Sequence, residues 1–286
     1  MSAGGRGAAA RWAVVGALIA VLTALPALIG ALPVRDAAVP AAELRAAVLA
    51  SGSVGFSGYA QSAGGLSLPV TDQLTSVADL LSDRTTMRVW WRSEEDARID
   101  VVTPTGETGV HREPGHIWTW EYESATATWA HPRPLALPAP PDLLPSALAR
   151  RLLSEADDAE LSRLGAERVA GRDALGLRMV PAEPASSVAS VDVWADAGSG
   201  LPLRVRVTAA DGQVALDSRF LDVELVRPPA EVTRFRPPPG ARVLEDRSYD
   251  VLEAAEGIGG AGLPLQLAGL DRRPLEGTPR AVAVYG

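Results

Sequence analysis

The chain has 286 residues, 47% of them hydrophobic and 22% charged, which is enough apolar material for one large or two smaller domains. Acidic residues outnumber basic ones by 35 to 27, for a formal net charge of −8, and the arginines are scattered rather than gathered in a stripe, which argues against a nucleic-acid surface. The sequence contains no Lys, Asn or Cys, a bias that matches a GC-rich bacterial coding sequence and that excludes disulfides, thiolate zinc sites, a cysteine nucleophile and a lipid-modified cysteine.

Residues 12–34, WAVVGALIAVLTALPALIGALPV, carry no charge. As a helix rising about 1.5 Å per residue they would cross a hydrocarbon core of about 30 Å. Arg6 and Arg11 precede this segment without acidic neighbours, whereas Arg35 is followed by Asp36. The positive-inside bias therefore leaves residues 1–11 in the cytoplasm and the bulk of the chain outside. The apolar run is longer than a signal peptide needs, which favours a retained cell-membrane anchor; Val39-Pro40-Ala41 offers the alternative of cleavage and secretion.

An Ala-rich, helix-compatible stretch at 41–50 leads into a first strand at 54–62, and VADLLSD at 77–83 reads as a short helix. Short alternating segments at 85–92, 97–102, 107–112, 116–122 and 125–130 follow, separated by turn residues, which is the pattern of an antiparallel meander. Alternation puts Met87, Val89 and Trp91 on one face of their strand, Ile99 and Val101 on one face of the next, and Trp118, Trp120 and Tyr122 on one face of a third. We expect these eight side chains to share one apolar sheet face, either as core or as the wall of a cavity for an apolar ligand.

The proline-rich run at 131–142 interrupts pairing. In DLLPSALARRLLSEADD, at 142–158, Leu144, Leu148 and Leu152 recur at spacings of four with Arg150 and Arg151 to one side, an amphipathic helix suited to lie on the sheet. Five more strands follow between 161 and 226. The expected fold class is α+β: about eleven antiparallel strands with few, short helices, occupying residues 41–246 and preceded by one transmembrane or signal segment. Residues 247–286 read as a linker and the start of a second, smaller domain.

The order of HIWTWEYESATATW, a proline-bearing connection, a helix, and paired strands ending in VTRFRPPPGARVLED resembles the LolA-like lipoprotein carriers and the related RseB (MucB) regulators of sigma-E signalling. The tail, with Phe235, Pro237, Pro238, Gly240 and Val243, is its more specific part. The resemblance spans residues 45–246. It implies a curved, incomplete antiparallel β-barrel whose concave apolar face, with covering helices, takes up lipid or lipoprotein acyl chains and, in the RseB branch, a protein that acts on a membrane-bound anti-sigma factor. It also implies a polar cavity residue, for which Arg92 is the nearest match; the Pro expected beside it is Ser93, and alternation aims Arg92 away from Trp91.

Other constellations read as structural. Gly257, Gly259 and Gly262 fit a dinucleotide-binding spacing, but Pro264 follows where a helix should begin, so a linker is expected. His111, Glu113 and His116 flank a turn and His131 ends a strand, and neither a metal site nor a catalytic centre is expected there. We expect a non-enzyme without a cofactor. It would act either as a lipid-binding carrier or as an anchored, RseB-like regulator; the anchor, the missing lipoprotein cysteine and the extension past residue 246 favour the second.

Overall fold

The computed structural model describes residues 11–12, 14–21, 23, 34–65, 84–103, 106–132, 139–246, 263–267, 270–273 and 284–285. Among these no helix is long and apolar enough to cross a membrane. Much of the 12–34 segment, the short helix expected at 77–83 and the glycines at 257–262 lie outside the described residues.

A helix, α1 (Ala41–Ala50), opens the fold and is followed by strands β1 (Phe56–Gly64), β2 (Arg84–Ser93), β3 (Asp96–Thr103), β4 (Gly106–Glu113), β5 (His116–Glu121) and β6 (Thr126–Ala130). Helix α2 (Pro145–Leu153) then leads to β7 (Leu161–Val169), β8 (Arg172–Met179), β9 (Val188–Asp196), β10 (Pro202–Ala209) and β11 (Val214–Glu224). A short α3 (Ala230–Thr233) and β12 (Arg242–Glu245) finish this unit. Three brief strands, β13 (Gln266–Leu267), β14 (Leu270–Arg273) and β15 (Val284–Tyr285), form a separate small sheet.

All twelve earlier strands belong to one unclosed sheet in the order β12-β6-β5-β4-β3-β2-β1-β11-β10-β9-β8-β7. The expected meander is present as β2 to β6, and non-consecutive strands pair at two places, β1 with β11 at the middle and β12 with β6 at the edge. The sheet departs from pure antiparallel pairing at its edge, where β12 runs parallel to β6. Register shifts at Tyr59/Ala60, Leu164/Glu167 and Val207/Thr208 mark bulges, which bend strands and curve the sheet.

Helices α1 and α2 lie on the concave side. Leu44 and Val48 of α1 and Ala149 and Leu153 of α2 pack with Leu177, Val193 and Val205 of the sheet. A neighbouring cluster joins Phe56, Met87, Val89, Trp91, Ile99 and Phe220 to Leu143 and Leu144 at the start of α2. Phe56 stacks on Trp91 at a centroid distance of 5.9 Å and meets Phe220 edge-on at 5.3 Å. The register of α2 differs from the leucine spacing: Ser146, Ala149, Arg150 and Leu153 are its buried stripe, while Leu148 and Leu152 are half-buried. Pro145 at the first helical position fixes where the helix starts, and the small Ser146 and Ala149 allow its close approach to the sheet.

Candidate functional site

Cross-strand partners in an antiparallel ladder share a face, so the observed registers assign every residue of β2–β6 to one side. On the concave side run Met87, Val101 and Thr108; then Val89, Ile99, Val110, Thr119 and Thr128; then Trp91, Ala97, Arg112, Ile117 and Ala130. The convex side carries Arg88, Asp100, Gly109, Trp120 and Ala127, and beside them Trp90, Arg98, His111, Trp118 and Trp129.

The expected single apolar face is therefore two faces. Met87, Val89, Trp91, Ile99 and Val101 form one inner group, whereas Trp118 and Trp120 lie on the opposite surface, and Tyr122 meets Trp120 edge-on at 5.7 Å. Period two fixes faces within a strand but says nothing of which faces align between strands. The inner face is apolar at β2 and β3 and mixed from β4 onward, where Thr108, Arg112, Thr119 and Thr128 interleave with Val110, Ile117 and Ala130, while the convex face turns aromatic. Apolar surface thus extends from the inner face alone to both faces partway across the sheet.

The inner group is filled core. Met87, Val89, Trp91 and Ile99 are each at most 1% exposed, packed against Phe56, Phe220 and the start of α2. The convex aromatic group is covered instead by the segment after β11, residues 228–236. Arg92 donates through Nη1 to the Pro228 carbonyl and through Nε to Asp96 Oδ2 at 2.7 Å, facing away from Trp91 as alternation requires. Thr233 Oγ1 donates to Asp96 Oδ1 at 2.5 Å. His111, 3% exposed, has Nδ1 3.0 Å from the Thr233 carbonyl. A carbonyl can only accept, so Nδ1 carries the proton. The Phe235 amide donates to Glu113 Oε1 at 2.7 Å.

These bonds seat the Phe235 ring over His111, Trp118 and Trp120, at centroid distances of 4.7, 5.5 and 5.9 Å. Beyond it Pro237, Pro238 and Pro239 hold the chain extended, Gly240 turns at φ +84°, and β12 joins β6. The residues that single out the tail motif are thus a fastened strap. Gly109, opposite Trp120, has no side chain where a Cβ would lie 3.2 Å from Asp100 Oδ1, which leaves room for the buried pair beneath: Asp100, 1% exposed, held by Arg98 at 2.9 and 2.7 Å. Arg98 also covers the Trp90 ring at 4.9 Å.

Burial pushes the His111 pKa below its ordinary value, and the positive charge of Arg98 adds to this, against the opposing effect of the Thr233 carbonyl. His116 and His131 take no part in the strap: both are exposed beside Trp129, at 5.9 and 5.4 Å, and His131 Nδ1 lies 3.1 Å from the Gly115 carbonyl. Sequence reasoning placed His111 and Glu113 at a hairpin tip without a partner, because the partner segment lies 122 residues away in sequence.

The sequence matches the family model described as MucB/RseB N-terminal domain over residues 87–239, from the inner strands through the strap to the proline run. No curated protein matches it. Among solved structures, a chain of the Pseudomonas aeruginosa MucA/MucB complex is 17% identical, covering 84% of this chain and 73% of that one, with a TM-score of 0.48. An uncharacterized conserved protein from Thermus thermophilus is 13% identical, covering 72% and 98%, with a TM-score of 0.44. The Mycobacterium tuberculosis lipoprotein LppX is 14% identical, covering 65% and 96%, with a TM-score of 0.34. The family assignment rests on the sequence match, which takes in more than half of the chain: the chain belongs to the MucB/RseB N-terminal domain family. As a member of that family it is a non-enzymatic protein.

Proposed function

We propose that this member of the MucB/RseB family is an extracytoplasmic regulator, held at the cell membrane by residues 12–34, that acts on a membrane-bound anti-sigma factor. The observation that carries this reading is the family match over residues 87–239, which takes in the whole strapped face and not merely the sheet. The filled inner face supports regulation over acyl-chain carriage. A carrier needs a concavity it can empty, whereas Met87, Val89, Trp91 and Ile99 are closed over by the start of α2.

The reading is tested by purifying the tagged full chain from membranes of its native host and identifying what accompanies it. The expected result is one single-pass membrane protein with a cytoplasmic sigma-binding segment, recovered in stoichiometric amount. Recovery of the chain with acyl lipid and no such protein would overturn it in favour of a carrier.

A further inference from the structure

Between the apolar segment that ends at Val34 and helix α1 only residues 35–40 remain, and they run extended along the sheet as a fastened link. The Arg35 amide donates to the Asp173 carboxylate at the start of β8. Asp36 Oδ1 accepts from Arg163 Nη2 of β7 at 2.7 Å, and the same nitrogen donates to the Ala37 carbonyl at 3.1 Å. Arg163 is itself held by the Gly176 carbonyl, to which Nη1 donates at 2.7 Å. Val39 packs against the core cluster that holds Leu44 and Leu177. The Asp36 side chain is half in solvent, so its ion pair alone is weak. The succession of contacts at residues 35, 36, 37 and 39 is what fixes the path.

A membrane-spanning helix over residues 12–34 is about 35 Å long, against a hydrocarbon core of about 30 Å, so its outer end falls in the headgroup layer. At no more than about 3.6 Å per residue, the fastened residues 35–37 lie within about 11 Å of that end. So short a link leaves the domain no slack to turn, and the part of the sheet it is fastened to stands next to the bilayer. That part carries the β7–β8 turn at Ala170 and Gly171 and the β9–β10 turn at Ala197, Gly198 and Ser199, where the Ala197 amide donates to the Asp173 carbonyl at 3.1 Å. Its charges are paired, Arg168 with Asp173 at 2.8 Å and Arg172 with Asp196 at 2.7 Å. Small turn residues and matched charges neither insert into lipid nor cling to it, so the link alone sets the contact.

We propose that the domain stands on the lipid surface in one fixed orientation, with the β7–β8 and β9–β10 turns against the headgroups and the β5–β6 turn held away from them. This rests on the reading of residues 12–34 as a membrane anchor and adds the contact surface to it. Strands β10 and β5 are six places apart in the sheet, about 29 Å along it at about 4.8 Å per strand. The registers also put the two turns at opposite ends of the strands. The row through Arg204 passes by Arg219, Gln61, Thr86, Val102 and Glu107 to Tyr122, just short of Ser124 in the β5–β6 turn, whereas Ala197 lies beyond Pro202 in the other direction.

The chain has no cysteine, so a single label can be placed without removing native ones. The full chain carrying Ala197→Cys or Ser124→Cys, each with a fluorescent donor, is reconstituted into phosphatidylcholine vesicles that contain rhodamine-labelled phosphatidylethanolamine, and energy transfer to the headgroups is measured. Transfer from position 197 should exceed that from position 124 by about twofold or more, and inserting about twenty Gly and Ser residues between Val34 and Arg35, a flexible tether of about 25 Å, should bring the two together. Equal transfer from both positions, in a chain that stays with the vesicles on alkaline washing, overturns the orientation alone, as does a difference that survives the insertion. A chain that washes off overturns the anchor reading and the orientation with it.

Discussion

Replacing Phe235 with Ala removes the ring that seats the strap on the convex face. The ring is half-buried and touches His111, Trp118 and Trp120 at 4.7, 5.5 and 5.9 Å. A fully buried Phe→Ala change costs about 3–5 kcal/mol, and aromatic pairs contribute about 0.5–1.5 kcal/mol beyond their area. Half burial with three ring partners therefore places the loss at about 2 kcal/mol. At roughly 2–4 °C per kcal/mol for a domain of this size, the melting temperature should fall by about 4–8 °C. The loss should also be local, because Thr233, Glu113 and β12 still hold the ends of the segment. Hydrogen exchange should speed up across residues 228–246, and tryptophan emission should shift to the red as Trp118 and Trp120 meet water. A melting temperature within about a degree of the parent, together with unchanged protection of 228–246, would refute the strap as a packed element.

Three further outcomes are expected. Removing Arg98 (Arg98→Met) strands Asp100, which is 1% exposed, and should cost about 3 kcal/mol by chemical denaturation; a loss below about 0.5 kcal/mol would contradict the pairing. His111 has its folded pKa lowered by burial below an unfolded value of about 6.5, so the unfolded chain binds the extra proton. Stability from this group is complete above that pH and is lost as pH falls toward the folded pKa; His111→Gln should flatten the acid limb of melting temperature against pH, and an unchanged limb would contradict the assignment. For Asp196, burial raises the pKa but hydrogen bonds from Arg172 and Ser199 outweigh it and hold the carboxyl below the usual range, so stability is lost only as pH drops below about 4; Arg172→Gln brings the folded pKa back toward the unfolded one and should shrink that acid loss while lowering stability at neutral pH.

Much of the fold was legible because alternation and turn chemistry are local. The eleven strands expected between residues 54 and 226 are present as β1 to β11, and α1 and α2 lie where Ala-rich and amphipathic sequence placed them. What local pattern could not provide was alignment between strands. Trp118 and Trp120 alternate as regularly as Met87 and Val89, yet the hairpins between them place the two sets on opposite faces. The appearance of Thr108, Thr119 and Thr128 opposite the tryptophans was the available signal that the inner face had become mixed and the other face aromatic. Arg150 was hidden for a related reason. The leucine spacing of α2 suggested a stripe one residue out of step with the buried one, and only the Ser146, Ala149, Leu153 spacing places Arg150 inside. The strap was legible as a motif, in Phe235 and its prolines, but not as a contact with His111 and Glu113.

The central claim is regulatory action by the strapped domain, and a transcriptional reporter in the native host tests it most directly. A promoter driven by the sigma factor whose anti-sigma partner co-purifies with the chain is measured with the gene intact, deleted, and restored as parent or as Phe235→Ala. Deletion should raise reporter output several-fold, the parent should restore it to the basal level, and Phe235→Ala should restore it only in part while the protein is still present at the parent's level. Output that does not change on deletion would contradict the account.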